Sequence, residues 1–119
     1  MKVCGYNQYN QLGEESTEKN ACGSSSISCL IDSHLDIASF LSISIYGNHT
    51  VYINKDNRAF GLGDNNGYRI INSLPPNILT NPQEIIIPDQ KGNPCNFISA
   101  VCGGYYTLYL VSCGTKNNQ

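Results

Sequence analysis

Six cysteines and two histidines are the residues of this chain open to metal or nucleophile chemistry, and their spacing decides which. The cysteines stand at 4, 22, 29, 95, 102 and 113, and the pairs 22/29 and 95/102 each enclose six residues. Structural zinc holds two thiolates on one turn, with about two to four residues between them. No cysteine pair here is that close, so neither a metal nor another cofactor is expected, even with His34 and His49 as further ligands. The opening residues, Met1-Lys2-Val3-Cys4-Gly5-Tyr6-Asn7, carry no apolar secretory segment. A reducing compartment follows as the expectation, cytoplasmic by default and nuclear as the alternative, with the thiols free. Asn48-His49-Thr50 matches the glycosylation sequon, and without secretion it is expected to stay unmodified.

Acid–base and nucleophilic arrangements fare no better. Asp32 and Asp36 flank His34 at two positions' remove, a spacing that shares no helical face. The serines of Gly23-Ser24-Ser25-Ser26 form no G-x-S-x-G elbow, and Gly61-Leu62-Gly63 lacks the later Gly and the Lys of a phosphate-cradling loop. Nothing joins a nucleophile to a base and an oxyanion donor, so a non-enzymatic role is expected.

The composition narrows the class further. The 119 residues suit one domain. Charged residues make up 13% of the chain, against about 25% in an average globular protein. Polarity comes instead from Asn, Ser, Gln and Thr. Seven Lys and Arg are scattered without a run and the net charge is -2, which argues against nucleic-acid binding. No stretch approaches the roughly 18 apolar residues of a membrane span. Eleven Gly, eight Tyr and no Trp point to an all-β chain rich in turns.

The elements that would position any site are visible as an internal repeat. Slid by 57 positions, Phe40 meets Phe97, Ser42 meets Ser99, Gly47 meets Gly104, Thr50 meets Thr107 and Tyr52 meets Tyr109. A second block matches at 58, with Gly5-Tyr6-Asn7 against Gly63-Asp64-Asn65. Each unit reads as a Gly-x-Asn loop, a variable polar segment, an apolar strand ending in Gly, an alternating strand, a tight turn and another strand. In the first unit the strands are expected at Ser39–Tyr46, His49–Asn54 and Arg58–Leu62, with Lys55-Asp56-Asn57 as hairpin turn. In the second, Phe97–Cys102 and Tyr105–Val111 repeat the plan. A further strand is expected ahead of each, at Ser26–Ile31 and at Gln83–Ile87, the latter bracketed by Pro82 and Pro88. Leu35, Ala38 and Leu41 have helical spacing, but serines and β-branched neighbours favour a turn leading into a strand.

Gly5-Tyr6-Asn7-Gln8-Tyr9-Asn10-Gln11-Leu12-Gly13 resembles the G-x-N-x-x-G-Q-L-G signature of the RCC1 repeat, the regulator of chromosome condensation family. Gly47-Asn48-His49-Thr50-Val51-Tyr52-Ile53 resembles its G-x-x-H-T-x-x-L signature. Asn10 replaces a family Gly, Tyr68-Arg69-Ile70-Ile71 replaces Gly-Gln-Leu-Gly, Tyr106 takes the place of His49 in the second copy, and Cys4 and Leu62 stand where the family often has Trp. The resemblance implies a β-propeller. Here that means a partial one of about two four-stranded antiparallel blades, a single domain over 1–119 with units near 5–62 and 63–119. Two blades cannot close a ring. Membership of a longer propeller is the preferred reading, ahead of assembly with copies of itself, a clamp by a larger partner, and a two-blade sandwich.

Such a segment is expected to act as a scaffold or adaptor, binding a protein partner through loops at one rim. Tyr6, Gln8, Tyr9, Asn10, Asp64, Asn65, Asn66 and Tyr68 are the candidate contacts, since Tyr and Asn offer wide contact area and adaptable hydrogen bonds. Asn7 and Asn65 have a second reading, favoured for both, as residues that shape the turn. His49 is expected to bond backbone inside its own blade. The alternative function is nucleotide exchange on a Ran-like GTPase, which the family resemblance suggests. Chromatin attachment through a basic arm is disfavoured by the composition.

Overall fold

The structure is a computed structural model that describes residues 2–3, 31–32 and 40–114. Strands β1 (Lys2–Val3) and β2 (Ile31–Asp32) pair antiparallel. Strands β3 (Phe40–Tyr46), β4 (His49–Asn54), β5 (Ala59–Asp64) and β6 (Ile78–Ile85) form one antiparallel sheet in sequence order. Strands β7 (Asn96–Cys102) and β8 (Thr107–Ser112) form a hairpin that packs on the four-stranded sheet. The chain is all-β apart from a single 3-10 turn at Asn66–Tyr68 among the described residues. Only one sheet has four strands there, and none closes on itself, so the expected pair of four-stranded blades is not found.

The repeat is visible in the ladder itself. Phe40 pairs with Asn54 and Ser42 with Ile53, with a bulge between them, and the register then runs without a break to Ile45 opposite Thr50. In the second hairpin Phe97 pairs with Val111 and Ser99 with Leu110, again across a bulge, and Cys102 lies opposite Thr107. Every pair of the first hairpin from Phe40 to Ile45 recurs 57 positions later, bulge included. Thr50 and Thr107 hold the same rung.

Turn chemistry fixes the register of the first sheet. Between β4 and β5 the Asn54 side chain accepts from the backbone N–H groups of Asp56 and Arg58, while Asn57 takes the left-handed conformation at φ 61°. Asn tolerates that region better than most residues with a Cβ. Outside the turn, the Arg58 guanidinium grips the Glu84 carboxylate through two nitrogens and holds it below the usual carboxylate range.

The strand expected at Gln83–Ile87 is longer, begins at Ile78 and belongs to a different sheet position. It pairs with β5, Ile85 opposite Ala59, and so completes the sheet that precedes it in sequence. Pro82 lies inside it instead of bounding it. Proline is accommodated because β6 is the edge of its sheet and the register is irregular between Gly61 and Gly63, where no N–H is demanded.

Val51, Ile53, Ala59, Ile70, Leu79, Ile85, Phe97 and Cys102 form the core between the two sheets, with Ala100, Tyr109 and Val111 packed against it. Gly61 is obligatory for this packing. A Cβ there would lie 2.6 Å from Ile70 Cγ2, so the loop after β5 can close over the sheet only above a bare α-carbon.

Polar pins join the sheets at several points. Ser44 Oγ accepts from the Cys102 N–H at 3.0 Å, and the Cys102 thiol donates to the Ser44 carbonyl. Burial raises the pKa of that thiol. Asn57 is bonded twice to Phe97: its carbonyl accepts the Phe97 N–H at 2.9 Å and its amide donates to the Phe97 carbonyl at 3.2 Å.

The expectation of free thiols is corrected at one pair. Cys95 and Cys113 form a disulfide that ties the residue before β7 to the residue after β8. The hairpin register brings them together, since the neighbouring residues Asn96 and Ser112 are ladder partners. Cys102 is free and buried. Cys4, Cys22, Cys29 and His34 lie outside the described residues, as do most of the strand expected at Ser26–Ile31 and most of the possible helix over His34–Leu41, whose last two residues, Phe40 and Leu41, open β3. Among the described residues no helix is long and apolar enough to cross a membrane.

Candidate interaction surface

One end of the stacked sheets gathers the turn between β3 and β4, the loop that follows β5, and the turn between β7 and β8. The backbone ties the first two together, because the Asp64 N–H donates to the Asn48 carbonyl at 2.9 Å and His49 pairs with Gly63. The first and third meet through their glycines. A Cβ on Gly47 would sit 3.7 Å from the Gly104 carbonyl oxygen, and Tyr46 borders Gly104.

Asn65 organises the loop. It is wholly buried. Its amide nitrogen donates to the carbonyls of Ile71, Leu74 and Pro75, and its amide oxygen accepts from the N–H groups of Ile70 and Ile71. One side chain thus satisfies five backbone groups that loop geometry leaves without ladder partners. Asp64 is also buried, and its carboxylate accepts from the backbone and side chain of Asn66.

Arg69 links the loop to the neighbouring hairpin. Its guanidinium lies 3.4 Å from Asp64 Oδ2, donates through Nε to the Asn66 carbonyl, and sits 5.0 Å from the centre of the Tyr105 ring. A guanidinium at that distance from a phenol ring is attracted by the ring quadrupole.

His49 is buried beneath this layer. It does not bond backbone within its own sheet, as the sequence suggested, but reaches Thr107 on the next one, with Nε2 2.9 Å from Oγ1. The Thr107 hydroxyl spends its single proton on the Arg69 carbonyl at 2.7 Å. Nε2 must therefore be the donor, which fixes the tautomer and leaves Nδ1 as a bare lone pair with no hydrogen-bond partner. Burial lowers the pKa of this imidazole, Arg69 lowers it further, and the Tyr106 carbonyl and Asp64 offset only part of that. Nearby, the Tyr109 hydroxyl donates to the Ile70 carbonyl at 2.7 Å.

The outer layer is aromatic. Tyr105 is 80% exposed, Tyr46 59%, Tyr106 56% and Tyr68 49%, so four phenols face outward at this end. Tyr106 lies flat over Gly103, where any Cβ would collide with its ring.

The expected rim residues divide accordingly. Tyr6, Gln8, Tyr9 and Asn10 lie outside the described residues. Asn65 and Asp64 are buried and hold the loop from beneath, whereas Asn66 and Tyr68 are on the surface. Tyr46, Arg69, Tyr105 and Tyr106 join the same surface without having been singled out as contacts. Their signal was present, as tyrosines beside the paired Gly47 and Gly104, but only the stacking of the two sheets brings those turns together. The groups presented are phenols and amides, which suit non-covalent recognition, while the Arg69 guanidinium is largely buried against Asp64. Among the described residues no three His, Cys, Asp or Glu are grouped to hold a metal ion. No model of a known protein family matches the chain, and no curated protein matches it either.

Proposed function

We infer that this protein is a protein–protein interaction module, an RCC1-like propeller segment that serves as scaffold or adaptor through the loops at one end of its sheets. The observation that carries the reading is the exposure of Tyr46, Tyr68, Tyr105 and Tyr106 at one end of the sheets, with Arg69 against the Tyr105 ring and the buried Asn65 and His49 contacts behind them. Rigid aromatic side chains contribute much contact area at small entropic cost, and Arg69, its guanidinium held by Asp64 and the Asn66 carbonyl, supports the Tyr105 ring. A partner with an apolar patch bordered by hydrogen-bonding groups for the phenols fits this chemistry.

The test is a protein array probed in parallel with the wild-type chain and with Tyr105→Ala and Arg69→Gln variants whose folding is verified by hydrogen exchange. Partners bound by the wild type and lost by both variants support the reading. Binding that survives both substitutions removes this surface from it. A nucleotide-release assay with a Ran-type GTPase separates recognition from exchange, and acceleration there would replace the adaptor role.

A further inference from the structure

The outward face of the β7–β8 hairpin is apolar and uncovered. Ile98 and Val101 are each 54% exposed, Leu108 62% and Leu110 58%, while the alternate residues Phe97, Cys102 and Tyr109 turn inward to the core. The repeat says what such a face is shaped to receive. Val101, Leu108 and Leu110 hold the rungs that Ser44, Val51 and Ile53 hold 57 positions earlier. Those three lie beneath the β7–β8 hairpin inside the chain, Val51 and Ile53 with no exposed surface and Ser44 bonded to Cys102.

The covering face recurs as well. Phe97, Ala100, Cys102 and Tyr109, which do the covering, correspond to Phe40, Ile43, Ile45 and Tyr52 on the first hairpin. Of these, Ile43 is 39% and Ile45 47% exposed, and Phe40 stacks on Tyr52 with ring centres 4.3 Å apart. The chain therefore carries both halves of its own internal contact a second time, one on each hairpin and on faces that do not meet each other. At the outer receiving face Val101 replaces Ser44, which makes it more apolar than the inner one.

We propose that the β7–β8 face is a docking surface for the β3–β4 face of a second copy of this chain, in a head-to-tail contact that continues the internal stacking of sheets. This contact continues an interface already present in the molecule and is independent of the loop surface above. A contact between two different faces is heterologous, so it propagates unless rotation closes it into a ring.

Sedimentation equilibrium tests this with two variants, Leu108→Lys/Leu110→Lys to block the receiving face and Ile43→Lys/Ile45→Lys to block the covering face. The wild type should gain mass with concentration, each variant should stay at the mass of one chain, and an equal mixture should give a discrete heterodimer. That recovery also shows that both variants are folded. A wild type that remains one chain at every concentration overturns the proposal and leaves the face to a different sheet or protein. Self-association of the Ile43→Lys/Ile45→Lys variant alone would mean like faces pair, and association by both variants alone would place the contact elsewhere; either result overturns it.

Discussion

His49 and Thr107 are 58 positions apart in sequence and 2.9 Å apart in space, and the threonine passes the chain of hydrogen bonds on to the Arg69 carbonyl. The contact joins β4, the start of β8 and the loop that carries Tyr68. Thr107→Val keeps the shape and removes both bonds, leaving a buried imidazole N–H and a carbonyl without partners. The expected loss is on the order of 2 kcal/mol or more. Urea denaturation measures it, and Thr107→Ser, which keeps the hydroxyl, should recover most of the loss.

Acid should weaken the fold through the same histidine. Its folded pKa is lowered from the usual 6.5, chiefly by burial. Below that value the unfolded chain takes up a proton that the folded chain resists, so this contribution is complete above 6.5 and is lost as pH falls towards the depressed folded value. His49→Gln keeps a donor for Thr107 and cannot titrate. Its urea midpoint should fall less than that of the wild type between about pH 7 and pH 5. Equal slopes for the two proteins would place the acid sensitivity elsewhere.

Asn65 offers the sharpest test of the loop. Asn65→Asp keeps the size and turns the donating nitrogen into an oxygen facing the carbonyls of Ile71, Leu74 and Pro75. Losing the two N–H donors shared among these three carbonyls, and replacing them by repulsion, should cost about 3 kcal/mol or more. Amide exchange at Ile70 and Ile71 should accelerate far more than exchange in β4.

The hairpins were legible because their information is local. Alternation in His49–Asn54, Gly47-Asn48 between strands and Asn57 in the next turn specify register within a few residues, and the matched Phe40/Phe97 and Ser42/Ser99 even carried the bulge. The partner of β6 was not legible. Pro82 reads as a boundary until the strand is known to lie at an edge, and the pairing of Ile85 with Ala59 spans the whole variable loop. Asp64 looked like a surface residue because it is polar, and Asn65, read chiefly as shaping its own turn, gave no sign of holding the whole loop. Their burial depends on a loop wrapping over Gly61 to bring carbonyls and Arg69 around them, which composition does not reveal. Tyr105 and Tyr106 stood in plain view, yet their place beside Tyr46 is a property of two sheets and not of either turn.

Reduction should measurably loosen the second hairpin. Cys95 and Cys113 close a loop of 18 positions, for which chain entropy predicts about 3 kcal/mol of stabilisation. A reductant should lower the urea midpoint of the wild type and leave that of Cys95→Ser/Cys113→Ser unchanged. A wild-type midpoint indifferent to reductant would return both residues to the free thiols first expected.

Asn57 and Phe97, bonded twice at the far end from His49 and Thr107, add a second fastening to the same pair of sheets. A plate held at one corner can swivel; one held at two opposite corners cannot. The dihedral between the two sheets is thus a built-in constant of the polypeptide, whereas a layer added on the β7–β8 face meets Tyr106 and Gly114 at the positions 57 beyond His49 and Asn57 and inherits neither fastening.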